Sequence, residues 1–443
     1  MKNAYIVVDL GFGDSGKGTI TDWLTDHHKA TLNVRYNGGA QCAHSVVLED
    51  KEHIFNQFGS GTFVPGTKTF FSKHAFFSPL VLTKEIERLA RKGVDNPGSL
   101  FYVDIDTPVV TPYHRAANRL KEMARKNKHG TCGMGIGETA RMLIEVPDIA
   151  PTVESFVKSS IYANAYMEEV REHLYRDIQG LRDALDPNDP MVIAELSTFK
   201  VTSAEVVDRM RNVFSLIHII QDDEIHDLFR ENETVVFEGA QGVLLDQDYG
   251  FQPYTTWSDT TSRNAHQILA ELGYSGDSRE IGVVRTFTTR HGAGPFPSED
   301  PKLSEVLSDP RNIPNPWQKE MRFGHFDAMA LCYALDVNRG VDELAVTHVD
   351  WLRKVDEWSM VTSYEMDGKL VPRLAVHKYP DFHMSEARAE KLFNVQLNFS
   401  HSYNSKNQNQ ILGQIAGMLD TDIGLISSGP KRSDKTINPH NHK

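Results

Sequence analysis

Short apolar runs alternate with longer amphipathic stretches along almost the whole chain. The runs predict buried strands at residues 6–10, 31–36, 69–71, 100–104, 234–237, 281–289, 344–349 and 423–426. Apolar residues at helical spacing predict helices at residues 83–92, 112–126, 326–335 and 407–418. Most strands open into glycine-rich or acidic loops. This pattern predicts an α/β protein with a mostly parallel, doubly wound sheet, which binds ligands beyond the carboxyl ends of its strands.

Two charged segments interrupt the alternation of strands and helices. Residues 155–185 and 203–230 combine many charges with apolar residues at helical spacing. We therefore expect one large domain over residues 1–443, with a mainly helical excursion at about 150–230. A hairpin is expected at residues 355–371, and a weakly ordered polar tail after Lys431.

Composition narrows the class of protein. The net charge of −13 at pH 7 argues against broad binding to nucleic acids or anionic membranes. No apolar run approaches the roughly 20 residues of a membrane span. The three cysteines lie far apart, the first strand starts at once, and no signal peptide is visible. These features predict a cytoplasmic protein without a disulfide framework.

The first strand leads into a loop that has the chemistry of a phosphate site. Glycines 11, 13, 16 and 18 let backbone amides converge on an anion at a helix N-terminus, where Lys17 reaches the outer phosphates. The spacing matches the Walker pattern GxxxxGK, although Gly18 stands where Ser or Thr is expected. The magnesium-binding hydroxyl of that pattern is therefore supplied by Thr19 or is absent. Asp14 repels phosphates unless it binds a metal or transfers protons.

Other polar loops follow the predicted strands. His44 can stabilise a phosphoryl group in transfer, although a lone loop histidine also satisfies backbone groups. The glycine turn at 130–137 suits either a second phosphate or a plain helix start. Gln241 is placed to recognise a base or phosphate, whereas the acidic Glu238, Asp246 and Asp248 are more typical of helix caps and solvated turns.

Basic and acidic side chains complete the candidate site. Arg285 and Arg290 suit a carboxylate or phosphate, and the cluster of Lys319, Arg322 and His325 suits an anionic substrate unless it is simply solvated. Asp350 ends a strand, where its carboxylate can accept the N1–H and amino protons of guanine.

The motifs together resemble the adenylosuccinate synthetase family over nearly the whole chain. FEGAQG and TTRxGAGPFP are highly specific to this family. The family patterns GDEGKG, GGHNAGHT, FEGAQGTLLD, GVVKAYTTRVGAGPFPTE, TKLD and STGP correspond to residues 13–18, 38–45, 237–246, 282–299, 347–350 and 427–430.

The resemblance implies a ligase that joins L-aspartate to C6 of IMP through a 6-phosphoryl intermediate, driven by GTP hydrolysis and assisted by Mg²⁺. Asp14 removes the N1 proton, and His44 stabilises the γ-phosphoryl group as it moves to the 6-oxygen. Lys17 and Gln241 complete the implied catalytic set, and Asp14 with the backbone carbonyl of Ala43 holds the metal. The implied nucleoside triphosphate site comprises Gly13, Ser15, Gly16, Lys17, Gly18, Thr19, His348, Asp350, Ser428 and Gly429. The implied substrate contacts are Gln41, Thr131, Cys132, Arg141, Gln241, Thr256, Lys319 and Arg322.

Departures from the family patterns leave alternatives open. Ser15 replaces an acidic residue, Gln41 an asparagine, Cys132 a threonine and His348 a lysine, while the register of the aspartate loop at 315–322 stays open. A related branch, the 2-aminoadenylosuccinate synthetases, acts on dGMP and can use ATP. The chain therefore has dGMP or GMP as alternative acceptors, and ATP as an alternative donor. A nucleotide-binding regulator without turnover is a further alternative. The family implies a homodimer.

Overall fold

The computed structural model describes residues 1–126, 130–308, 317, 320–376 and 382–439. Its strands are β1 Asn3–Asp9, β2 Leu32–Arg35, β3 His44–Val47, β4 Glu52–Phe55, β5 Lys68–Phe71, β6 Phe101–Asp104, β7 His218–Ile220, β8 Thr234–Glu238, β9 Asp277–Arg285, β10 Thr288–Arg290, β11 Arg322–Gly324, β12 Phe326–Asp327, β13 Glu343–Thr347, β14 Glu357–Trp358, β15 Met360–Met366, β16 Lys369–Val371, β17 Gln396–Phe399, β18 Tyr403–Asn404, β19 Ile423–Ser427 and β20 Lys435–Ile437. Its helices are α1 Lys17–His27, α2 Pro79–Arg91, α3 Pro112–Ala124, α4 Ile136–Glu145, α5 Val153–Val157, α6 Ser160–Gln179, α7 Pro190–Thr198, α8 Ser203–Phe214, α9 Asp222–Glu231, α10 Arg263–Glu271, α11 Pro301–Val306, α12 Ala328–Asn338, α13 Phe382–Phe393 and α14 Gln408–Leu419.

A large sheet forms the centre of the molecule. Within the described residues it has ten strands in the order β20-β19-β13-β9-β1-β8-β2-β5-β6-β7. All neighbours are parallel except the edge pair β19 and β20. The central strand β1 lies between β8 and β9, and its side chains from Ile6 to Asp9 are buried. The predicted α/β fold with a mostly parallel sheet is confirmed.

The carboxyl ends of the central strands position the loops that carry the candidate chemistry. β1 ends at the glycine-rich loop before α1, and β8 ends at Glu238 before the loop with Gln241. β9 runs on toward β10, and β13 ends just before His348. Because these strands are parallel neighbours, their following loops meet at the same edge of the sheet.

The segment at 150–230 is mainly helical, with one strand inserted. α5 to α8 form the helical part, and their inner faces join an apolar core that includes Phe156, Leu174 and Met210. β7 then extends the edge of the main sheet beside β6. The prediction of one charged helical stretch over 203–230 is wrong at this point, because three residues are too short to show a strand period.

The C-terminal segment forms the last strand of the sheet, so the expectation of a weakly ordered tail after Lys431 is wrong for residues up to Ile437. β20 pairs antiparallel with β19. The guanidinium of Arg432 donates two hydrogen bonds, of 2.8 and 2.6 Å, to the buried carboxylate of Asp22 on α1. A bidentate ion pair of this kind holds polar chain against the domain.

The hairpin expected at 355–371 is present as β15 and β16, which pair antiparallel. Asp367 and Gly368 form its turn, and both have positive φ. Among the described residues, no helix combines the length and apolarity needed to cross a bilayer.

The buried carboxylate of Asp327 connects α12 with β15. One carboxylate oxygen accepts a hydrogen bond of 3.1 Å from the Ala330 amide at the start of α12, and the other accepts one of 2.7 Å from the Tyr364 hydroxyl. Burial raises the pKa of Asp327 to about 6. The folded pKa therefore exceeds the ordinary value of about 3.9, so stability falls as pH rises from about 4 through 6.

We expect Asp327→Asn to raise the apparent melting temperature by a few degrees at pH 7 to 8, and by less at pH 5. The raised pKa corresponds to a cost of at most about 3 kcal/mol for keeping the ionised carboxylate buried, and neutral asparagine avoids this cost at every pH. Thermal unfolding of both proteins at pH 5, 6, 7 and 8 measures the difference. A gain in melting temperature that is equal at every pH, or largest at pH 5, would contradict the raised pKa of Asp327.

Candidate active site

The loop between β1 and α1 is organised around a buried carboxylate. Asp9 accepts hydrogen bonds from the backbone amides of Gly11 at 2.8 Å and Ser15 at 3.0 Å. It also accepts the Ser15 hydroxyl at 2.8 Å and the Lys17 ammonium at 2.8 Å. Asp9 therefore sets the shape of this loop and holds Lys17 at the start of α1. Both polar groups of Ser15 point to Asp9, so its implied contact with a phosphate stays a prediction.

The same loop leaves the start of α1 open to an anion. Gly13, Asp14 and Gly16 all have positive φ, which turns the chain sharply into the helix. Gly16 precedes the helix, and no side chain in the described part of the chain caps it. The first amide groups of α1 are thus available to a phosphate.

Gly18 explains the departure from the Walker pattern. A Cβ at this position would lie 2.7 Å from the Cβ of His44 and 3.0 Å from the Ser60 hydroxyl oxygen. The serine or threonine that usually follows the lysine cannot fit while His44 occupies this place. The sequence shows the missing hydroxyl, but only the structure shows that His44 takes its space.

We expect Gly18→Ala to lower kcat by about 10-fold to 100-fold, because the added methyl group displaces His44. Steady-state kinetics measures the effect. Gly413→Ala on α14 is the matched control, since a Cβ there meets nothing within 4 Å. Full activity of Gly18→Ala would show that the position of His44 tolerates this change.

His44 is paired with a carboxylate beneath it. Its Nδ1 lies 2.5 Å from the Glu238 carboxylate, which also accepts the backbone amide of Ser60 at 2.8 Å and its hydroxyl. Both His44 and Glu238 are buried. The pairing assigns the Nδ1 proton to the side facing Glu238 and leaves Nε2 for the cavity.

Burial and charge oppose each other in this pair. Burial lowers the pKa of His44, while Glu238 raises it. Burial raises the pKa of Glu238, but Arg35 and His44 outweigh burial and lower it to about 2. Glu238 is therefore ionised and holds the imidazole in one orientation. The expectation of a helix cap or solvated turn is wrong for Glu238, which is fully buried at the end of β8.

Asp14 is held through its backbone and approached by a second imidazole. Its carbonyl oxygen accepts a hydrogen bond of 2.9 Å from Arg285 Nη1. Its carboxylate oxygen Oδ2 lies 3.6 Å from Nε2 of His291, in the loop after β10. The Asp14 side chain is 35% exposed and lines the cavity described below.

Two glutamines present buried amide groups to the same space. Both side-chain polar atoms of Gln41, and the amide oxygen of Gln241, are buried without a hydrogen-bond partner among the described residues. Gln241 also has a positive φ. Buried polar groups are nearly always satisfied in folded proteins, so these atoms suit contacts with a bound ligand.

The end of β13 contacts the phosphate loop at Ser15. The Thr347 hydroxyl donates a hydrogen bond of 2.7 Å to the Ser15 carbonyl oxygen. Nδ1 of His348 lies 2.9 Å from the Thr347 hydroxyl oxygen, and burial raises the pKa of Asp350. The structure thus brings His348 and Asp350 beside the glycine-rich loop.

One cavity of about 1090 Å³ connects these groups. That volume is at the upper end for a small-molecule site and leaves room for more than one ligand. The predicted residues that line it are Gly13, Asp14, Gly16, Lys17, Gly18, Thr19, Gln41, Ala43, His44, Thr131, Cys132, Arg141, Gln241, Thr256, His348, Asp350 and Gly429. Burial raises the pKa of the Cys132 thiol to about 11, so it lines the cavity as a neutral group.

Other predicted residues stand apart from the cavity lining. The Ser428 amide donates to the Asp434 carbonyl oxygen at 3.0 Å. Arg322 donates to Glu299 at 2.7 Å and to two loop carbonyl oxygens, so its implied contact with the substrate carboxylate stays a prediction. Lys319 lies outside the described residues, as do residues 315, 316 and 318 of the loop at 315–322.

Arg141 on α4 lies at the rim in an ion-pair network. Its guanidinium lies 3.1 Å from Glu138, 2.5 Å from Glu145 and beside Asp177. A phosphate would have to compete with these carboxylates for the guanidinium.

Two oxygen donors near the phosphate loop fit Mg²⁺. Among the described residues, no group of three His, Cys, Asp or Glu side chains could hold a metal ion. Asp14 and Ala43 both line the cavity and offer a carboxylate and a backbone carbonyl. This donor set suits Mg²⁺, which commonly binds one or two protein oxygens together with the phosphates of a nucleotide.

Comparison with known proteins identifies the family. The model of the adenylosuccinate synthetase family matches residues 6–436. An adenylosuccinate synthetase from Synechocystis is 33% identical over 374 residues, which cover 82% of this chain and 78% of the relative.

Two solved structures share the fold. Fully ligated adenylosuccinate synthetase from Plasmodium falciparum gives a TM-score of 0.77 at 20% identity and covers 98% of this chain and 99% of its own. Succinoaminodeoxyadenylate synthetase of cyanophage S-2L, bound to dGMP and dATP, gives 0.61 at 15% identity and covers 99% and 96%. The chain thus belongs to the adenylosuccinate synthetase family, whose members are C–N ligases of purine biosynthesis that use GTP and Mg²⁺.

Proposed function

We propose that this chain joins L-aspartate to C6 of IMP through a 6-phosphoryl intermediate, with GTP as the phosphoryl donor. Family membership supports the reaction class. The observation that carries the proposal is that Asp14 and His44 line the same cavity, one on the phosphate loop and the other packed against it at Gly18. A base and a phosphoryl-stabilising group are the two parts that this chemistry needs.

Asp14 acts first. Its carboxylate takes the proton from N1 of the purine, and the N1–H electron pair moves through C6 to make an oxyanion at O6. This oxygen attacks the γ-phosphorus, and the bond to the bridging oxygen breaks so that GDP leaves. Lys17 and the first amides of α1 line the proposed position of the phosphoryl group and stabilise its charge. His44 adds to this when its imidazole is protonated, because Nε2–H can then donate to the phosphoryl oxygens while Nδ1–H stays on Glu238.

Aspartate reacts second. Its amine attacks C6, the C6–O bond breaks, and inorganic phosphate leaves. Gln41, Thr131, Cys132, Arg141, Gln241 and Thr256 form the proposed purine nucleotide site. The unpartnered amide groups of Gln41 and Gln241 support this assignment.

Asp14 and the Ala43 carbonyl would hold Mg²⁺ together with the nucleotide phosphates. The ion neutralises charge on the triphosphate when bound. Asp350, together with Ser428 and Gly429, is proposed to bind the guanine of GTP. We also propose that the chain is a single domain that forms a homodimer, which light scattering of the purified protein tests.

The test combines L-aspartate and GTP or ATP with each of IMP, GMP and dGMP, and product analysis by mass spectrometry. We expect a succinylated nucleotide, GDP and phosphate from IMP with GTP. A succinylated product from dGMP or GMP, and none from IMP, would show that the acceptor is the alternative substrate. Slow phosphate release that ignores aspartate, with no succinylated product from any nucleotide, would indicate the regulator instead.

A further inference from the structure

His291 brings a second imidazole into the proposed active site. Its Nε2 lies 3.6 Å from Oδ2 of Asp14, and both side chains line the cavity. His291 is 15% exposed, compared with 35% for Asp14. His291 thus places a polar group beside the Asp14 carboxylate.

Arg290 fixes the loop that carries His291 through hydrogen bonds to backbone carbonyl oxygens. This guanidinium is buried and donates to the carbonyl oxygens of Tyr254 at 3.1 Å, Ala293 at 3.2 Å and Pro295 at 2.8 Å. It also lies 4.3 Å from the ring centre of Phe12, in the loop that holds Asp14. Arg290 thereby ties the two loops to each other.

Arg322 fixes the other side of the same loop. Its Nη2 donates to the carbonyl oxygens of Gly292 at 2.9 Å and Gly294 at 3.0 Å. The backbone of Gly292 also packs closely against Gly130, where an added Cβ would lie 3.4 Å from the Gly292 Cα. The imidazole of His291 consequently stands on a rigid support.

The backbone of Asp14 is also fixed, while its side chain reaches into the cavity. Arg285 holds its carbonyl oxygen, and Asp9 holds the amide of Ser15 directly after it. The backbone is thus fixed on both sides, while the carboxylate reaches into the cavity toward His291. The His44–Glu238 pair has the opposite order: there the buried carboxylate orients the imidazole that faces the cavity.

We propose that His291 is a positioning residue for Asp14, an inference that rests on the proposed function. The Nε2–H of the imidazole donates to one carboxylate oxygen, so that the other oxygen faces the N1 proton of the purine. The separation of 3.6 Å between Nε2 and Oδ2 needs only a small movement to become a hydrogen bond. The role requires an N–H donor and no change of charge.

Three variants separate this role from a merely structural one. His291→Gln places an amide N–H near the position of Nε2, whereas His291→Asn places it too far back and His291→Val has none. We expect kcat of the Val and Asn variants to fall about 10-fold to 100-fold, with KM for IMP and GTP within about threefold. The Gln variant should stay within about threefold of wild-type kcat.

The decisive measurement isolates the first chemical step. In GTP labelled with ¹⁸O at the β,γ-bridge, reversible transfer to O6 scrambles the label when IMP is present and aspartate is absent. We expect scrambling to fall in parallel with kcat, while the melting temperature of each variant stays within about 2 °C of wild type.

The outcomes distinguish the two proposals. Wild-type protein that forms no succinylated product with any purine nucleotide overturns the proposed function. Active wild-type protein with a Val variant within twofold in kcat overturns the role of His291. Equal losses in the Gln and Val variants, or a rise in KM alone, overturn it as well. If the Val variant fails to fold, the comparison of Gln with Asn decides.

Discussion

Asp14→Asn is expected to lower kcat by at least about a thousand-fold, because the amide cannot accept the N1 proton. The substitution keeps the size of the side chain and its acceptor oxygen. The loop should therefore stay folded, since Asp9 and Arg285 hold it through other atoms. Steady-state kinetics with IMP, GTP and aspartate measures the effect.

Asp367→Asn is the matched control for Asp14→Asn. It removes the same charge in the exposed turn between β15 and β16, and should leave kcat unchanged. If Asp14→Asn kept more than a tenth of wild-type kcat, another group would have to be the base.

His44→Asn is expected to lower kcat by about 100-fold to 1000-fold. The asparagine amide occupies the position of Nδ1 and can still donate to Glu238, but nothing replaces Nε2. The variant therefore removes the group that faces the cavity and keeps the buried hydrogen bond. Label scrambling in GTP without aspartate measures the lost step.

The fold of the His44 variant is checked by its melting temperature, which should stay within about 3 °C of wild type. His44→Ala is the comparison, because it also removes one of the three hydrogen bonds to the buried Glu238 carboxylate and should unfold at a lower temperature. Equal melting temperatures for the two variants would show that the hydrogen bond between position 44 and Glu238 does not stabilise the fold.

Local sequence was enough to predict the phosphate loop. The strand, the glycines, Lys17 and the helix follow each other within about 20 residues, and backbone geometry alone brings them together. Asp14 stood out for the same reason, since a carboxylate in such a loop calls for a special role. The parallel sheet could be predicted because its strands are apolar runs separated by helices.

Long-range partners could not be predicted. Glu238 and His44 are separated by 194 residues, and an acidic residue at a strand end is more often a cap. The reason for Gly18 is likewise a packing contact with His44, which no local pattern shows. β7 was missed because His218–Ile220 is too short to display a period.

The central position of β1 has a consequence for synthesis of the protein. Its two neighbours, β8 and β9, begin only at Thr234 and Asp277. At roughly 5 to 20 residues per second, a ribosome needs about 10 to 50 s to reach them. During this interval the apolar side chains and unpaired backbone groups of β1 emerge without their partners. We expect the nascent chain to depend on a chaperone that shields them until translation has passed residue 285.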